Sequence, residues 1–339
     1  MGNLKTRRVG KTGVEVTELG FGSATLAGLF AAVPDDQARG AATAALDAGI
    51  TYFDTAPQYG FGRAEHLVGD ALRDRRKGIV LSSKVGRLLK PYTGTETSRA
   101  NWVQPFPFEQ VYDYSYDAIM RSVEDSRQRL GLAEIDMLFV HDIGVATHGV
   151  EQNAIYWKQL DAGGGYRALQ DLKKAGSVKA IGLGVNEWEV LMDAFKLGDW
   201  DVFLLAGRYT LLEQTSLDPF LTTCLKRGAS VIAAAPFNGG ALMGTGKWNY
   251  GTAPQAIIDR VHQLEAFCKA QNVPIGAAAL QFALTHPAVC SVLTGPRSAA
   301  ELKSTLAWWN TPIPTSFWHD LAAAKLVAPG TPLPGGKAA

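Results

Sequence analysis

The chain has 339 residues, of which 47% are hydrophobic and only 19% charged, against roughly 25% charged in typical domains. That composition calls for a large buried interior and excludes a disordered chain or a fibre. With 33 Lys and Arg against 32 Asp and Glu, the net charge of +1 leaves no electrostatic footprint for nucleic acid or an anionic membrane.

No apolar run approaches the ~20 residues of a membrane span, and the opening MGNLKTRRVGKTG has no apolar signal-peptide core. Its first six residues fit the loose M-G-x-x-x-[ST] acylation pattern, but the chain turns strand-like by Leu4, which argues against lipidation. Cys224, Cys268 and Cys290 are isolated in apolar contexts and read as reduced core thiols, the state expected in the cytoplasm.

In chain order, residues 4–16 form two short alternating runs about Gly10 and Gly13, a hairpin able to plug one end of a barrel. Strand-like apolar runs then recur at 18–21, 51–53, 79–82, 136–140, 179–183, 201–205, 230–233 and 289–293. Amphipathic patterns between them predict helices at 37–48, 64–73, 116–130, 166–175, 188–197 and 219–227. The steps average roughly 39 residues, the length of a βα unit carrying some long loops. Eight such units predict an α/β fold, a closed (β/α)8 TIM barrel. A doubly wound sheet would show about six units and a Gly-rich first turn, and no G-x-G-x-x-G occurs. Residues 85–114 and the Pro-rich tail after Trp309 are longer than a βα turn needs, so they are expected to build the substrate site. No linker interrupts the pattern, so one domain over 1–339 is expected.

Four polar residues follow apolar strands: Asp54 ends ITYFD, Tyr59 lies just beyond it in TAPQYG, Lys84 ends IVLSSK and His141 ends DMLFVH. In a parallel barrel, consecutive strand ends meet at one mouth. An acid, a phenol, an amine and an imidazole in one pocket suit proton transfer at a carbinol or carbonyl oxygen. A phenol near its ordinary pKa of about 10 is a poor base at neutral pH. Lys84 is expected to bring Tyr59 down, with Asp54 orienting Lys84 and His141 directing the substrate oxygen. Taken singly, Asp54–Lys84 also fits a buried structural ion pair, and His141 a satisfied core histidine. HDIG sets His141 beside Asp142 with His148 nearby, but adjacent strand residues point to opposite faces, so no metal site is expected. No protein nucleophile is evident, and a cofactor must supply the second reactant.

These residues and their surroundings resemble the aldo-keto reductase superfamily. GFGSATLAG, FDTAPQYGFGRAEHLVGDAL, SSKVGR, RLGLAEIDMLFVHDI, VKAIGLGVNEWE and VLTGPRSAAEL carry the likeness from about Leu4 to Trp309. The resemblance implies a catalytic tetrad of Asp54, Tyr59, Lys84 and His141, and hydride transfer between a nicotinamide cofactor and a carbonyl or alcohol, without metal. Within the superfamily, the chain is similar to D-threo-aldose (L-fucose) 1-dehydrogenases, with L-galactose and pyridoxal 4-dehydrogenases close by. The resemblance further implies cofactor contacts at Gly22, Ser23, Asp54, Asn186, Pro236, Phe237, Gly240, Gly295, Pro296, Arg297 and Glu301.

Three departures touch the nicotinamide side. Gly184-Val185-Asn186 stands where relatives have Ser-Asn, Ala206 where they have Gln, and Ala234 where they have a stacking aromatic, with Phe237 or Tyr209 as replacements. Glu301 lies near the place of the Arg that pairs with the 2′-phosphate in NADP-preferring relatives, which favours NAD; the neighbouring Arg297 keeps NADP open. Trp102, Trp248-Asn249-Tyr250 and the cluster of Trp308, Trp309, Phe317 and Trp318 are candidate contacts, offering flat faces with a few amide and hydroxyl groups for a sugar or pyridine ring.

The expectation is therefore an NAD-linked oxidation of an aldose at its anomeric carbon to the lactone, with Tyr59, Trp102, His141 and Trp248 touching substrate. Its rivals are an NADPH-dependent aldehyde or ketone reductase, a pyridoxal 4-dehydrogenase, and a nucleotide-binding regulatory subunit. A monomer or small homo-oligomer, binding neither nucleic acid nor membrane, completes it.

Overall fold

Eight parallel strands close on themselves: β1 (Leu19–Gly22), β2 (Tyr52–Asp54), β3 (Val80–Val85), β4 (Met137–His141), β5 (Ala180–Val185), β6 (Val202–Ala206), β7 (Ser230–Ala234) and β8 (Val289–Thr294). Each pairs with its chain neighbours, and β8 pairs with β1, so the predicted barrel is the fold. The computed structural model describes residues 4–334. Met1 and Gly2 of the acylation pattern, and the end of the tail, lie outside the described residues.

Side-chain parity positions the chemistry. Tyr52, Met137, Phe139, Val202, Leu204 and Ile232 fill the barrel, whereas Phe53, Leu138, Val140, Phe203 and Leu205 pack outward against the helices. With a period of 2, Asp54 follows Tyr52 inward and His141 follows Phe139. The register sets Phe139 against Lys84 and Asp54 against Ser82. Gly182 on β5 has no alternative, because a Cβ there would run into the Val202 carbonyl.

The N-terminal hairpin pairs Thr6–Arg8 with Glu15–Thr17 and drives Val9, Val14 and Val16 into the apolar base of the barrel. Residues 85–114 are a second hairpin, Arg87–Pro91 against Phe108–Tyr112, with a smaller turn, Ser98–Arg99 against Trp102–Val103, inside it. Leu29 bridges to Trp102 and fastens this excursion over the mouth. The sequence pattern had no helix at Val150–Leu160, Gln255–Ala270, Ile275–Phe282, Ala299–Trp309 or Thr315–Ala323. The last of these corrects the reading of the tail as a substrate loop. Phe317 and Trp318 are each only 1% exposed, buried among the outer helices. Trp308 packs on Gly276 and edge-on to Phe237, so this aromatic cluster is shell packing and not a ligand face.

Candidate active site

Lys84 and Asp54 are each 1% exposed, and the Lys84 ammonium donates to Asp54 Oδ2 at 2.6 Å and to the Thr55 carbonyl at 3.0 Å. Asp54 Oδ1 accepts from Ser82 Oγ at 2.7 Å, and Ser82 Oγ lies 3.1 Å from the Tyr52 hydroxyl. The Lys84 Nζ stands 4.7 Å from the centroid of the Tyr59 ring. The rings of Tyr59 and His141 meet edge to face at 5.7 Å, and Trp102 lies 5.8 Å from Tyr59 on the other side. The four strand-end residues predicted from sequence are thus one cluster.

The electrostatics differ from the expectation in one respect. Tyr59 is held well above the ordinary phenol range, because enclosure strips water from a phenolate and the Asp54 and Asp142 carboxylates oppose it. The Lys84 ammonium is bound by Asp54 and faces the ring, and burial with the two carboxylates outweighs what it offers the phenolate. Burial, Arg87 and Lys84 push His141 well below the usual imidazole range, leaving a neutral ring at physiological pH. With Tyr59 as the base of an oxidation, the raised phenol pKa should make the rate rise with pH across the neutral range. No acid limb near the imidazole value of about 6.5 should appear. A plateau reached by neutral pH in a kcat–pH profile would contradict this.

A cavity of about 460 Å³ opens over the cluster, lined by Tyr59, Lys84 and His141 and also by Arg87, Asp142, Asn186, Arg208 and Tyr250. Trp102 lines it as well, with its indole N–H unpartnered. Asp142 corrects the opposite-faces reading of HDIG. Its φ of +45° ends the strand alternation, and Oδ2 comes within 3.6 Å of His141 Nε2. No metal-like cluster of three His, Cys, Asp or Glu exists among the described residues. His148 instead stacks against Tyr112 and Tyr156 and bonds the Tyr114 hydroxyl at 3.0 Å.

Arg87 and Arg208 were not singled out from sequence. Arg87 in SSKVGR could have been, because a lone cation beyond a barrel strand faces the mouth. Arg208 follows Ala206 in β6 and donates to the Asn186 carbonyl and to Asn249 Oδ1, both at 2.9 Å. Together with Asn238 and the Trp248 indole N–H, it surrounds Glu213. Trp248 is therefore committed to Glu213 and is not among the cavity-lining residues; Asn249 and Tyr250 beside it are. Tyr209 is buried against Phe282 and His286, and the half-buried Phe237 packs on Trp308; neither is among the cavity-lining residues.

The residues present fit a nicotinamide dinucleotide along the rim. Ser23 Oγ and Arg297 Nε are buried without partners, and Ala206 lines the cavity wall. Gly22 ends β1, and the Gly295 carbonyl is taken by Thr25 Oγ1 at 2.8 Å, which shapes the turn into Pro296. Pro236 and Gly240 lie in the loop after β7, where Gly240 has φ +102°. Asn186 Nδ2 lies 3.3 Å from Asp142 Oδ1. Glu301 has a structural duty too: Ser298 caps the helix Ala299–Trp309 by accepting from the Glu301 N–H, and Glu301 accepts from the Arg297 N–H at 2.8 Å. No described helix is long and apolar enough to cross a membrane.

Comparison with known proteins agrees with this arrangement. The chain is 44% identical to pyridoxal 4-dehydrogenase of Microbacterium luteolum over 95% of its length and 98% of that protein. It is 35% identical to D-threo-aldose 1-dehydrogenase of a Pseudomonas species, covering 93% and 96% of the two chains. An aldo-keto reductase from Bacillus halodurans in its holo form shares the fold with a TM-score of 0.71 at 24% identity, over 96% of this chain and 97% of that one. Residues 18–325 match the aldo/keto reductase family, whose members are oxidoreductases that use nicotinamide cofactors and small-molecule substrates, and the chain belongs to that family.

Proposed function

We propose that the protein is an NAD-preferring dehydrogenase that oxidises a cyclic hemiacetal at its anomeric carbon, giving the lactone. The observation that carries this reading is the cavity wall. Beside Tyr59 it offers Arg87, Asp142, Asn186 and Arg208, with aromatic faces at Trp102 and Tyr112. Such a lining suits a small, oxygen-rich ring better than an apolar aldehyde. Aldoses close to hemiacetals, and pyridoxal does so through its own hydroxymethyl group, so the two relatives' names describe substrates of one chemical class. The higher identity to the pyridoxal enzyme makes pyridoxal the first member to test.

In this reading Tyr59 takes the hemiacetal O–H proton while the C–H bond yields its hydride and the carbon–oxygen bond becomes a carbonyl. The nicotinamide supplies the hydride acceptor. His141 orients the reacting oxygen, and the Lys84 ammonium, held in place by Asp54, faces the Tyr59 ring and steadies the phenolate that acts as base. The protein acts as one domain over 1–339, as a monomer or small homo-oligomer; its buried, unpaired cysteines suit a cytoplasmic setting.

Nicotinamide reduction is measured with L-fucose, L-galactose, D-arabinose and pyridoxal, using NAD⁺ and NADP⁺ side by side. Turnover of at least one hemiacetal with NAD⁺ is expected. Tight nucleotide binding with no oxidation of any would overturn the reading and favour the regulatory subunit.

The preference for NAD rests on Glu301, half-exposed and 3.9 Å from the Arg297 guanidinium it offsets. Glu301→Gln keeps an acceptor for the Arg297 N–H but frees the guanidinium for a 2′-phosphate. The NADP⁺ to NAD⁺ ratio of kcat/KM should rise roughly tenfold. An unchanged ratio would remove Glu301 from the account of cofactor choice.

A further inference from the structure

Arg87 is a costly residue to bury, at 2% exposure, on the mouth side of β3. Its Nη1 donates to Gln110 Oε1 at 3.0 Å, Nη2 pairs with Asp142, and the guanidinium lies over the Tyr112 ring at 5.0 Å. Gly86, with φ +96°, makes the turn that brings it there, since any Cβ would run into the Tyr114 ring. The Arg87 Nε is sealed away from the cavity, but Nη1 and Nη2 each keep a second N–H beyond the bonds to Gln110 and Asp142. Asp142 accepts from Arg87 and, at 3.3 Å, from Asn186, which leaves acceptor capacity on a carboxylate with about four lone-pair sites. Both residues line the cavity that Tyr59 and His141 share. A guanidinium fastened to a carboxylate in this way is neutral overall, so it does not select for substrate charge. What it offers is one donor and one acceptor at a fixed spacing.

That spacing is informative. Asp142 Oδ2 is 3.6 Å from His141 Nε2. Oxygens on adjacent carbons lie about 3 Å apart, near the length of a hydrogen bond. If one oxygen is on His141 Nε2, its vicinal neighbour is within reach of the carboxylate. We propose that the Arg87–Asp142 pair is a specificity element that reads the substrate's second oxygen, the one lying about a hydrogen-bond length from the reacting oxygen. In an aldose this is the 2-hydroxyl on the adjacent carbon; in pyridoxal it is the 3-hydroxyl, one ring carbon further on but on the same side of the reacting carbon. The inference rests on the hemiacetal reading and narrows it to substrates with such a second oxygen. A hydroxyl there donates to Asp142 and accepts from Arg87. An analogue without it leaves two buried charged groups facing an apolar hydrogen, which is where strong discrimination originates.

The test is a ratio measured within each protein: kcat/KM for L-fucose over 2-deoxy-L-fucose, and for pyridoxal over 3-deoxypyridoxal. The wild type should favour the substrate bearing the second oxygen by about 10- to 100-fold. Asp142→Asn should lower the preferred substrate's kcat/KM much more than the deoxy analogue's, bringing the ratio within about threefold. Arg87→Lys, which keeps the charge but loses the fork, should narrow it as well, and it serves if Asp142→Asn fails to fold. A wild-type ratio near one, or a ratio unchanged in the variants, overturns the role of the pair while leaving the hemiacetal reading intact. If the wild type oxidises no hemiacetal, the reading falls and takes this inference with it.

Discussion

Tyr59→Phe is expected to lower kcat for hemiacetal oxidation by about 10²- to 10⁴-fold, the usual worth of a positioned acid–base group. Its ring stands 4.7 Å from the Lys84 ammonium and lines the cavity. The substitution keeps the ring that packs against Trp102 and His141. Nicotinamide affinity, read by fluorescence titration, should therefore stay within about twofold, and the melting temperature within a degree or two. Loss of kcat together with loss of cofactor binding would point to a collapsed mouth. Retention of more than about a tenth of wild-type kcat would remove Tyr59 from proton transfer.

The second large effect lies at the opposite end of the barrel. Asp136, 2% exposed just before β4, accepts from Lys179 Nζ at 2.6 Å, from Arg76 Nη2 at 2.5 Å and from the Leu81 N–H at 2.8 Å. Its own N–H donates to the Leu81 carbonyl, and its carbonyl accepts from Lys179 and Ala180. One residue thus ties the starts of β3, β4 and β5. Asp136→Ala removes the carboxylate partner of Arg76 and strands the buried Leu81 N–H, and should cost about 3–5 kcal/mol in urea unfolding. Lys179 is 61% exposed on its side chain, so Lys179→Met, which removes only that outer arm, should cost under about 1 kcal/mol. Equal losses in the two variants would mean that the buried knot contributes nothing beyond a surface ion pair.

Much of this was legible before any coordinates. All eight barrel strands follow from short apolar runs about one βα unit apart, because a barrel strand is apolar on both faces and stands out from its amphipathic helix. Strand-end polarity found Asp54, Lys84 and His141, since only the mouth tolerates such groups. The helix Ile275–Phe282 escaped because it is apolar on nearly every side, which leaves no periodicity to read. Asp142 escaped for another reason. Strand parity applies only while φ stays extended, and a single residue at φ +45° turned a presumed outward carboxylate into the cavity. Trp318 and Phe317 were legible as aromatic, but composition does not distinguish an aromatic that packs a shell from one that faces a ligand.

The hairpin that fills the bottom of the barrel leaves the reaction one door. From Lys84 the hydrogen-bonded chain runs down through Asp54 and Ser82 to the Tyr52 hydroxyl. There it ends beside Val9, Val14, Val16, Met137 and Cys290, the apolar packing that the hairpin joins. On the proposed mechanism the proton that Tyr59 takes up leaves by the open cavity, the side by which substrate enters and product departs. Substrate, product and proton then share one mouth, and a substitution that narrows it should slow all three.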